Sequence, residues 1–520
     1  MSPTSGGPTT RRRWWRETVV YQIYPRSFLD TDADGVGDLR GIGHRIDHLA
    51  DLGVGALWLS PIYRSPMTDF GYDVSDHCDV DPLFGDLAEF DRLLGRAHDR
   101  GLRVLLDWVP NHTSVEHAWF RESRSSRSSP KRNWYVWRDP AADGGPPNNW
   151  VAAFDPDSPA WTYDGRTGQY YLHLFLPEQP DLDWANPEVE SAQHDVLRFW
   201  LDRGVDGFRA DVVHLIGKDP ALPDEPPERA SQSRVGYHHE PRTHPLLRRI
   251  RGVLDAYPGD RAIVGEINLH DSSAIAEHHG EGDELHLAFN FALLRAGWNA
   301  RRWRTAITEV VEAYEPVGAW PTWVLSNHDE PRHVTRYGSV ARARAAAVAL
   351  LSLPGTPFLY AGEELGLSDA AIPPHLRVDP GGREGCRAPI PWERGPDHGW
   401  PAEPWLPWPP SAGALSAEAQ RGDPTSTLEL YRHLLRVRRS SEALRAGTFA
   451  WRDAPPDVLA FDRGAEDDRR AVLVNFAASP RSVAMPGAWE IDTSSRRKRE
   501  GHAFGGAVSA EEGLVLRPSR

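Results

Sequence analysis

The chain has 520 residues, more than one compact unit, so we expect a large domain with accessory parts. Its formal net charge of −15 argues against partners such as nucleic acid or an anionic membrane surface. No apolar run reaches the roughly 18–20 residues of a membrane span, and residues 1–17 lack the apolar stretch of a secretory signal. With only Cys78 and Cys386, no disulfide framework is possible, so we expect free thiols and a cytoplasmic protein.

The first part of the chain alternates apolar strands with amphipathic helices. Three apolar runs predict strands, at 19–24, 56–63 and 103–110. Two segments with helical spacing lie between them, at 41–53 and 87–101. This βαβαβ order is typical of a parallel sheet with helical crossovers.

The alternation stops after the third strand and later resumes. Residues 112–182 are rich in Ser, Arg, Pro, Gly and aromatic residues, and they predict an excursion domain B that grows from the third strand. From 183 to 446 strands and helices alternate again, with residues 284–291 as the sixth predicted strand, and the strand count reaches eight. We therefore predict an α/β fold, a (β/α)₈ TIM barrel whose first part is 1–111. Short strands with Gly and Pro turns at 447–520 predict a C-terminal antiparallel β-sandwich domain.

Polar residues end four of the predicted strands. The stretches are DWVPNH at 107–112, GFRADVVH at 207–214, VGEIN at 264–268 and SNHDE at 326–330. A (β/α)₈ barrel builds its catalytic site at the C-terminal ends of its strands. Any single carboxylate there could be a cap or a loop salt bridge, but four stretches of the same kind together predict an active site.

These four stretches, in this order and with these gaps, resemble the α-amylase superfamily (glycoside hydrolase family 13), and in detail its α-glucosidase and oligo-1,6-glucosidase branch. Supporting stretches are YQIYPRSF at 21–28, GVGDLRGI at 35–42, QPDLDW at 179–184 and GTPFLYAGEELG at 355–366. The resemblance covers nearly the whole chain. It implies a retaining, exo-acting α-glucosidase that acts on small α-glucosides and needs no cofactor for catalysis.

The resemblance also implies the catalytic roles. Retaining cleavage needs a carboxylate nucleophile and a second carboxyl group that protonates the leaving oxygen, about 5–5.5 Å apart. By the resemblance, Asp211 is the nucleophile, Glu266 the acid/base and Asp329 the residue that stabilises the transition state. Arg209 lies two residues before Asp211, and we expect its charge to keep that carboxylate ionised. Asp107 either supports the site or only structures the barrel.

Further residues are implied to bind the sugar: Asp69, Tyr72, His112, Phe154, Phe175, Arg209, His328 and Arg387. Tyr72 would stack on the glucose ring, and Asp69 would bind the 4-hydroxyl of a terminal glucose. We expect Asp69 to pair with Arg387 rather than Arg383, which would close the pocket and limit the enzyme to single glucoses. An ordinary surface salt bridge is the alternative for this pair. Core packing is the alternative for the two phenylalanines.

The segment DTDADGVGD (30–38) has the ligand spacing of a calcium loop. Its candidate ligands are Asp30, Asp32, Asp34, the carbonyl of Val36, and Asp38. The bidentate Glu of an EF-hand is missing, because Ile42 stands near that position. In the branch that the chain resembles, such a loop holds a structural Ca²⁺ or Mg²⁺; the alternative is an acid-rich turn.

The linkage preference is ambiguous in the sequence. Val212, directly after the predicted nucleophile, resembles enzymes that prefer α-1,6 bonds, whereas VVHLIGKDP (212–220) resembles maltose-type α-glucosidases. We favour maltose and malto-oligosaccharides, with other α-linkages tolerated. A glucosyltransferase or sugar isomerase would use the same covalent intermediate and is the main alternative; a non-catalytic sugar-binding barrel is a weaker one.

Two further features belong to the surroundings of the site. The long loop 218–243 and four late tryptophans are expected to shape the aglycone side of the pocket. Packing in the core explains each of these tryptophans equally well: Trp392, Trp400, Trp405 and Trp408. Four histidines without motif context are predicted to lie on the surface: His238, His239, His278 and His279.

Overall fold

The computed structural model describes residues 13–519, and eight parallel strands form its centre. The strands are β1 (Val20–Ile23), β2 (Ala56–Leu59), β3 (Arg103–Trp108), β4 (Gly207–Ala210), β5 (Ala262–Gly265), β6 (Leu287–Ala288), β7 (Thr322–Val324) and β8 (Thr356–Tyr360). They are ordered β6-β5-β4-β3-β2-β1-β8-β7. The predicted (β/α)₈ barrel is confirmed.

The barrel closes between β6 and β7 through side chains. The Thr322 hydroxyl donates to the carbonyl of Ala288 at 2.9 Å and accepts from the Asn290 N–H at 3.3 Å. The segment 284–291 was predicted as a full strand, but β6 is only two residues long. The polar side chains therefore replace the ladder bonds that a longer strand would make.

Apolar residues fill the space inside the barrel. Val20, Trp58, Leu105, Val264 and Phe358 each come from a different strand and meet in one buried cluster. Every second residue of a strand points to the same face, so these side chains form layers across the interior. The barrel is a packed core, and the polar strand ends lie above it.

Amphipathic helices cover the outside of the barrel. The longer ones are Ile46–Leu52, Leu87–Asp99, Pro187–Asp202, Thr243–Asp255, Ala300–Tyr314, Val340–Leu350 and Thr427–Ser440. The shorter ones are Trp14–Glu17, Leu39–His44, Ala118–Ser123, Ser272–Glu277, Ala292–Ala296, His333–Tyr337, Ala412–Leu415, Ala417–Gln420 and Glu442–Ala446. In Leu87–Asp99 the helical spacing buries Phe90, Leu93, Leu94 and Ala97. Within residues 13–519, no helix has the length and apolar character needed to cross a membrane.

An excursion leaves the barrel after β3, as predicted. It holds a three-stranded antiparallel sheet of Trp137–Arg138, Gln169–Leu172 and Trp161–Asp164. Its core includes Val212 and Leu215 from the loop after β4, so the excursion packs directly on the barrel's C-terminal end. A small hairpin, Tyr63–Arg64 with Asp76–Val80, rises beside it. The exact limits 112–182 remain a prediction.

The C-terminal part is an antiparallel β-structure, as predicted. Its five-stranded sheet contains, in spatial order, Thr448–Trp451, Val458–Ala465, Asp468–Asn475, Gly513–Pro518 and Trp489–Ser494. One face packs against the barrel helix Val340–Leu350. The other face encloses a separate apolar cluster together with the short sheet of Arg481–Ser482 and Ala507–Val508. The boundary at residue 447 remains a prediction.

Candidate active site

The barrel register brings Asp211 and Glu266 to the same level. Ala210 at the end of β4 pairs with Gly265 at the end of β5, so the two acidic residues follow paired positions. The backbone N–H of Glu266 continues the ladder by donating to the carbonyl of Ala210 at 2.8 Å. Since neighbouring strands lie about 4.8 Å apart, the two carboxylates start from adjacent backbone points.

A glycine makes this register possible. A Cβ at Gly207, the first residue of β4, would lie 1.9 Å from the carbonyl oxygen of Ala262 and 2.9 Å from the Leu105 side chain. Real Cβ atoms do not approach backbone oxygens that closely, so only glycine fits there. The motif GFRAD therefore begins with a packing requirement and ends with Asp211, the predicted nucleophile.

Arg209 joins three carboxylates beneath the pocket. Its Nη1 donates to Asp211 Oδ1 at 2.6 Å and to Asp107 Oδ1 at 2.8 Å, and its Nη2 donates to Glu266 Oε2. Arg209 and Asp211 are two residues apart on one strand, so both point to the barrel interior. Asn268 donates to the other Glu266 oxygen at 3.1 Å. The arrangement holds the carboxylates of Asp211 and Glu266 side by side.

Val212 turns the chain directly after Asp211. Its backbone lies in the left-handed region, with φ 33° and ψ 40°, which is rare for a β-branched residue. Such a conformation costs on the order of 1–3 kcal/mol and needs support from its surroundings. The Val212 side chain packs in the apolar cluster with Leu215 and Trp150. Its N–H donates to Glu266 Oε2 at 3.2 Å, so the strained turn orients the acid on the next strand.

The charges of Arg209 and its three carboxylate partners favour a proton bound among the carboxylates. Burial raises the pKa of Asp211 well above its usual range, and Glu266 and Asp107 add to the rise while Arg209 opposes it. Burial also raises the pKa of Asp107, to about 6, against the same opposition. Arg209 thus acts in the expected direction on Asp211, but burial outweighs it. Three carboxylates share one guanidinium, and a proton among them relieves their repulsion.

Asp329 follows β7 and faces the same space. Arg383 Nη1 lies 3.0 Å from Asp329 Oδ1, and Arg387 Nη2 lies 3.4 Å from it. Burial opposes ionisation of Asp329, but the guanidinium groups of Arg383 and Arg387 favour the anion, and the pKa of Asp329 lies below its usual range. The charges around Asp329 therefore favour its anion, whereas burial favours the neutral form of Asp211.

His328 and Tyr72 form a relay that ends on Asp107. The Gln22 amide donates to His328 Nδ1 at 2.7 Å, which leaves the proton on Nε2. His328 Nε2 donates to the Tyr72 hydroxyl at 2.6 Å, and Tyr72 donates to Asp107 Oδ2 at 3.1 Å. The rings of His328 and Tyr72 are stacked, with centroids 5.4 Å apart and planes 8° from parallel. Burial lowers the pKa of His328 to about 3, so it is neutral.

One end of the pocket is closed by Asp69 and Arg383. Arg383 Nη2 lies 2.6 Å from Asp69 Oδ1, so the prediction that Arg387 makes this pair is wrong. Arg387 is fully buried and already engaged: its Nε donates to the His328 carbonyl at 2.8 Å and its Nη1 to Asp379 at 3.0 Å. Both arginines belong to the segment GGREGCR, and only their side-chain directions distinguish them.

The resulting cavity has a volume of about 350 Å³. Most of the predicted residues line it, namely Asp69, Tyr72, His112, Phe154, Phe175, Asp211, Glu266, His328 and Asp329. Phe175 packs against His112 with centroids 5.1 Å apart, and Phe154 lies under the Arg383 guanidinium at 5.0 Å. Arg209 and Arg387 lie behind this lining and position it. The space is of the size of a small sugar.

Several residues that line the cavity or support its lining were not predicted. Gln179, in the noted stretch QPDLDW, lies 3.0 Å from Asp69 Oδ2 and 3.2 Å from His112 Nε2 through its amide nitrogen. The remaining unpredicted lining residues include Ser233, Val235, Asn268, Phe291, Leu294, Arg295, Asn327 and Arg383. Ser233 and Val235 belong to the loop 218–243, whose unusual length was the available signal. Nothing in the local sequence marked the apolar residues after β6, Phe291 and Leu294, as part of the cavity lining.

The late tryptophans contribute by packing. Trp392 and Trp400 are buried in the main core, with exposed fractions of 2% and 1%. Trp405 and Trp408 are partly buried against the same core. None of the four lines the cavity described above. The packing alternative stated for them is therefore the one that the structure supports.

The acidic loop brings three of its carboxylates together. Oxygen atoms of Asp30, Asp32 and Asp38 lie within 4.8 Å of one another. Asp34 is not in this group; its Oδ1 accepts from the Val36 N–H at 2.7 Å. Burial raises the pKa of Asp32, and the carboxylates of Asp34 and Asp30 add to the rise. This excess of negative oxygen fits a hard cation in type, but a metal here remains a prediction.

Two of the four histidines predicted to lie on the surface are buried. His278 has an exposed fraction of 0% and His279 of 4%, so the surface prediction is wrong for both. His238 and His239 are partly buried. Histidines 278 and 279 follow the helix Ser272–Glu277 and fold back onto it, with each Nδ1 bonded to a carbonyl of that helix. The local sequence gave no sign that the chain turns back onto the helix after Glu277, so the burial of these two histidines could not be predicted from it.

A parallel eight-stranded barrel with carboxylates at the ends of β4, β5 and β7 around a sugar-sized pocket defines a barrel glycoside hydrolase. Comparison with known proteins agrees. Residues 22–447 match the family described as alpha amylase, catalytic domain, and the chain belongs to this family. The resemblance stated from the motifs is confirmed, as is its α-glucosidase and oligo-1,6-glucosidase branch.

Curated relatives match nearly end to end. A probable alpha-glucosidase of Rhizobium meliloti (strain 1021) is 41% identical, over 95% of this chain and 94% of its own. An oligo-1,6-glucosidase of Parageobacillus thermoglucosidasius is 36% identical, over 91% and 92%. Among solved structures, an alpha-glucosyl transfer enzyme, XgtA, has a TM-score of 0.91 and 41% identity, covering 98% of this chain and 100% of that one.

Proposed function

We propose that this glycoside hydrolase is a retaining, exo-acting α-glucosidase that releases glucose from the non-reducing end of short α-glucosides. The observation that carries the proposal is the bridging of Asp211 and Glu266 by Arg209, beneath a pocket closed by Asp69 and Arg383. One guanidinium can bind two carboxylates only when they are close. Retaining enzymes need about 5–5.5 Å between carboxyl groups, whereas inverting enzymes need roughly 6.5–9.5 Å.

In the proposed first step, Asp211 attacks the anomeric carbon while Glu266 donates its proton to the glycosidic oxygen. The bond to the aglycone breaks and a β-glucosyl ester forms on Asp211. In the second step Glu266 removes a proton from water, and the water oxygen replaces Asp211. Glucose leaves as the α-anomer and both carboxyl groups regain their starting states.

The surrounding charges suit these two roles. The mechanism needs Glu266 to carry the proton that it donates, and Arg209 and the Val212 N–H hold its Oε2 in place. Asp329 stays ionised and can stabilise positive charge on the sugar ring in the transition state. His328 is neutral, and burial lowers the pKa of His112 to about 4, so both can bind hydroxyls without adding charge.

The closed end of the pocket supports exo action. Asp69 has an exposed fraction of 3% and is bonded to both Arg383 and Gln179. A terminal glucose can place its 4-hydroxyl against this pair, but a longer chain cannot continue through it. An endo-acting enzyme would need an open cleft at the same place.

We favour maltose and malto-oligosaccharides as substrates, with other α-linkages tolerated. The relatives named alpha-glucosidase and oligo-1,6-glucosidase support action on α-glucosides, and the second name supports tolerance of the α-1,6 linkage. Val212 lines the cavity, so it can influence the group that leaves. We also propose that the loop 30–38 holds a structural Ca²⁺ or Mg²⁺ through Asp30, Asp32 and Asp38. A cytoplasmic site of action is part of the proposal and rests on the free thiols of Cys78 and Cys386.

Two variants test the roles of the carboxylates. Asp211→Asn should lose kcat by several orders of magnitude on every α-glucoside, because no covalent bond can form. Glu266→Gln should lose activity on maltose but keep much of the first step on α-glucosyl fluoride, whose leaving group needs no proton. Product anomers, followed by NMR during the first minutes, should show α-glucose. Asp211→Asn with more than a tenth of wild-type activity, or β-glucose as first product, would contradict the mechanism.

A glucosyl-transfer enzyme is the second candidate, and a specific observation favours it. The solved relatives include an alpha-glucosyl transfer enzyme and the trehalulose synthase MutB from Pseudomonas mesoacidophila MX-45, the latter at 32% identity and a TM-score of 0.88. The cavity lining is partly apolar, with Val235, Phe291 and Leu294, which suits a sugar acceptor as well as water. Chromatography of products from maltose and sucrose separates free glucose from longer or isomerised sugars.

A further inference from the structure

A cluster of histidine and glutamate side chains lies outside the catalytic pocket. His239 ends the long loop 218–243, and His244 is in the first turn of the helix Thr243–Asp255. Glu277 is the last residue of the helix Ser272–Glu277. One ligand atom from each of the three residues lies within 4.8 Å of the others. Three segments of the chain therefore contribute one potential metal ligand each.

The spacing of the three atoms matches a tetrahedral zinc site. His239 Nε2 lies 3.1 Å from His244 Nε2 and 3.6 Å from Glu277 Oε2. Zinc bonds to His nitrogen and carboxylate oxygen are about 2.0–2.2 Å long, so two ligands of a tetrahedral zinc lie about 3.3 Å apart. The two observed separations lie on either side of that value. Small side-chain rotations would bring all three ligands onto one ion.

The hydrogen bond made by His244 Nδ1 prepares the other ring nitrogen, Nε2, for metal binding. His244 Nδ1 lies 2.7 Å from Glu284 Oε2, and Glu284 is buried, with an exposed fraction of 1%. Because a carboxylate only accepts, the proton of neutral His244 resides on Nδ1, and its Nε2 presents a lone pair toward His239. Arg248 lies 2.9 Å from the other Glu284 oxygen and fixes the carboxylate. A His that donates to a carboxylate behind it is the usual support of a zinc ligand.

A third imidazole packs against the pair. The His278 ring centroid lies 5.0 Å from that of His239 and 5.1 Å from that of His244. His278 is fully buried, and among the described residues its Nε2 has no hydrogen-bond partner. It supplies a rigid wall beside the ligands. On the outer side the Glu277 and His239 side chains are 58% and 25% exposed, so an ion can enter from solvent.

We propose that His239, His244 and Glu277 bind one Zn²⁺, or a similar divalent transition metal, with water at the fourth position. The site is separate from the proposed reaction and does not depend on it. A carboxylate with two imidazoles suits zinc better than calcium, which prefers oxygen ligands alone. The ion would tie the end of the loop 218–243 to two helices of the barrel.

The site has a structural route to the pocket. Ser233 and Val235, in the same loop, line the catalytic cavity. His214 connects the loop to the catalytic strand end, with Nε2 2.9 Å from the Val235 carbonyl and Nδ1 3.3 Å from the Glu266 carbonyl. Fixing the loop at His239 should therefore order the aglycone side of the cavity. The expected effect is on stability and on KM, and not on the chemical step.

Metal binding can be measured directly on the full-length protein. The protein is treated with chelator, dialysed, and kept in excess Ca²⁺ so that the acidic loop 30–38 does not compete. Titration with Zn²⁺ by calorimetry should show one site, and Co²⁺ should give the visible absorption of a tetrahedral N/O complex. His239→Gln and Glu277→Gln should each weaken Zn²⁺ binding by 10-fold or more. Both positions are partly exposed, so these variants should fold.

Matched controls use similar residues outside the cluster. His375→Gln and Glu281→Gln are exposed substitutions of the same types and should leave Zn²⁺ binding unchanged. Zn²⁺ should raise the thermal unfolding midpoint of wild type and of both controls, but not of His239→Gln. No Zn²⁺ binding to wild type, or equal binding by wild type, His239→Gln and Glu277→Gln, would overturn the proposal. Co²⁺ bound with an octahedral spectrum would also overturn it, because the ligand set would be wrong.

Discussion

Replacing Asp69 by Asn tests whether the closed end of the pocket recognises the sugar. Asn keeps the shape of the side chain but removes its charge. Arg383 keeps ion pairs with Asp329 at 3.0 Å and Asp379 at 2.7 Å, so no arginine is left without a partner. The variant should therefore fold normally. Any loss should come from the missing charged acceptor for the sugar 4-hydroxyl.

The expected size follows from the kind of bond that is lost. A hydrogen bond to a charged group contributes roughly 1.5–3 kcal/mol, more than a neutral one. At about 1.36 kcal/mol per factor of ten, kcat/KM should fall about 10- to 160-fold. The pKa of Asp69 is raised by burial, and Arg383 is the main group that opposes this rise and favours the anion. The loss should therefore be largest at neutral pH and above.

The assay compares two substrates in a double cycle. Wild type and Asp69→Asn are measured with p-nitrophenyl α-glucoside and with its 4-deoxy analogue. The four kcat/KM values give the interaction free energy between the Asp69 side chain and the sugar 4-hydroxyl. The variant should lose much less on the 4-deoxy substrate than on the glucoside. Asp79→Asn, in an exposed pair with Arg64, is the control and should be neutral. Equal losses on both substrates would refute direct recognition by Asp69.

Three further predictions concern stability and specificity. Burial lowers the pKa of His77 to about 4, so as the pH falls the His77 imidazole becomes protonated in the unfolded chain before it does so in the folded protein. This difference lowers the free energy of unfolding by about 2 kcal/mol between pH 7.5 and pH 5. Calorimetry should show a smaller fall in unfolding temperature for His77→Gln over that range than for wild type; an equal fall would be inconsistent. Ca²⁺ should raise the unfolding temperature of wild type but hardly that of Asp32→Asn, whose exposed carboxylate is not needed for folding. Val212→Gly should relieve backbone strain of about 1–3 kcal/mol. It should also change the ratio of isomaltose to maltose hydrolysis, and an unchanged ratio would mean that Val212 does not determine the linkage preference.

The barrel could be predicted because its signals are local. Apolar strands of four to six residues, amphipathic helices and the polar residues after each strand are all readable along the chain. Asp211, Glu266 and Asp329 followed from that pattern together with the family resemblance, and all three line one cavity. The short β6 was overestimated, because an apolar run does not show how many of its residues find a neighbouring strand.

Pairings between distant segments could not be predicted in the same way. Arg383 and Arg387 lie in one short segment, and their order along the chain contains no information about which one faces Asp69, more than 300 residues earlier. His239, His244 and Glu277 likewise come from segments with no shared motif. Burial of His278 also depended on neighbours that the local sequence does not show.

The amino-acid sequence by itself determined the fold class, because periodicity is a property of contiguous residues. Its strand-end motifs carried the resemblance that gave the family and the three predicted catalytic carboxylates. Tertiary structure alone decided which arginine closes the pocket and that Arg209 joins three carboxylates. It also decided that the burial of Asp211 outweighs the nearby positive charge. These outcomes depend on side-chain direction and on desolvation, and both arise only when segments from different parts of the chain pack together.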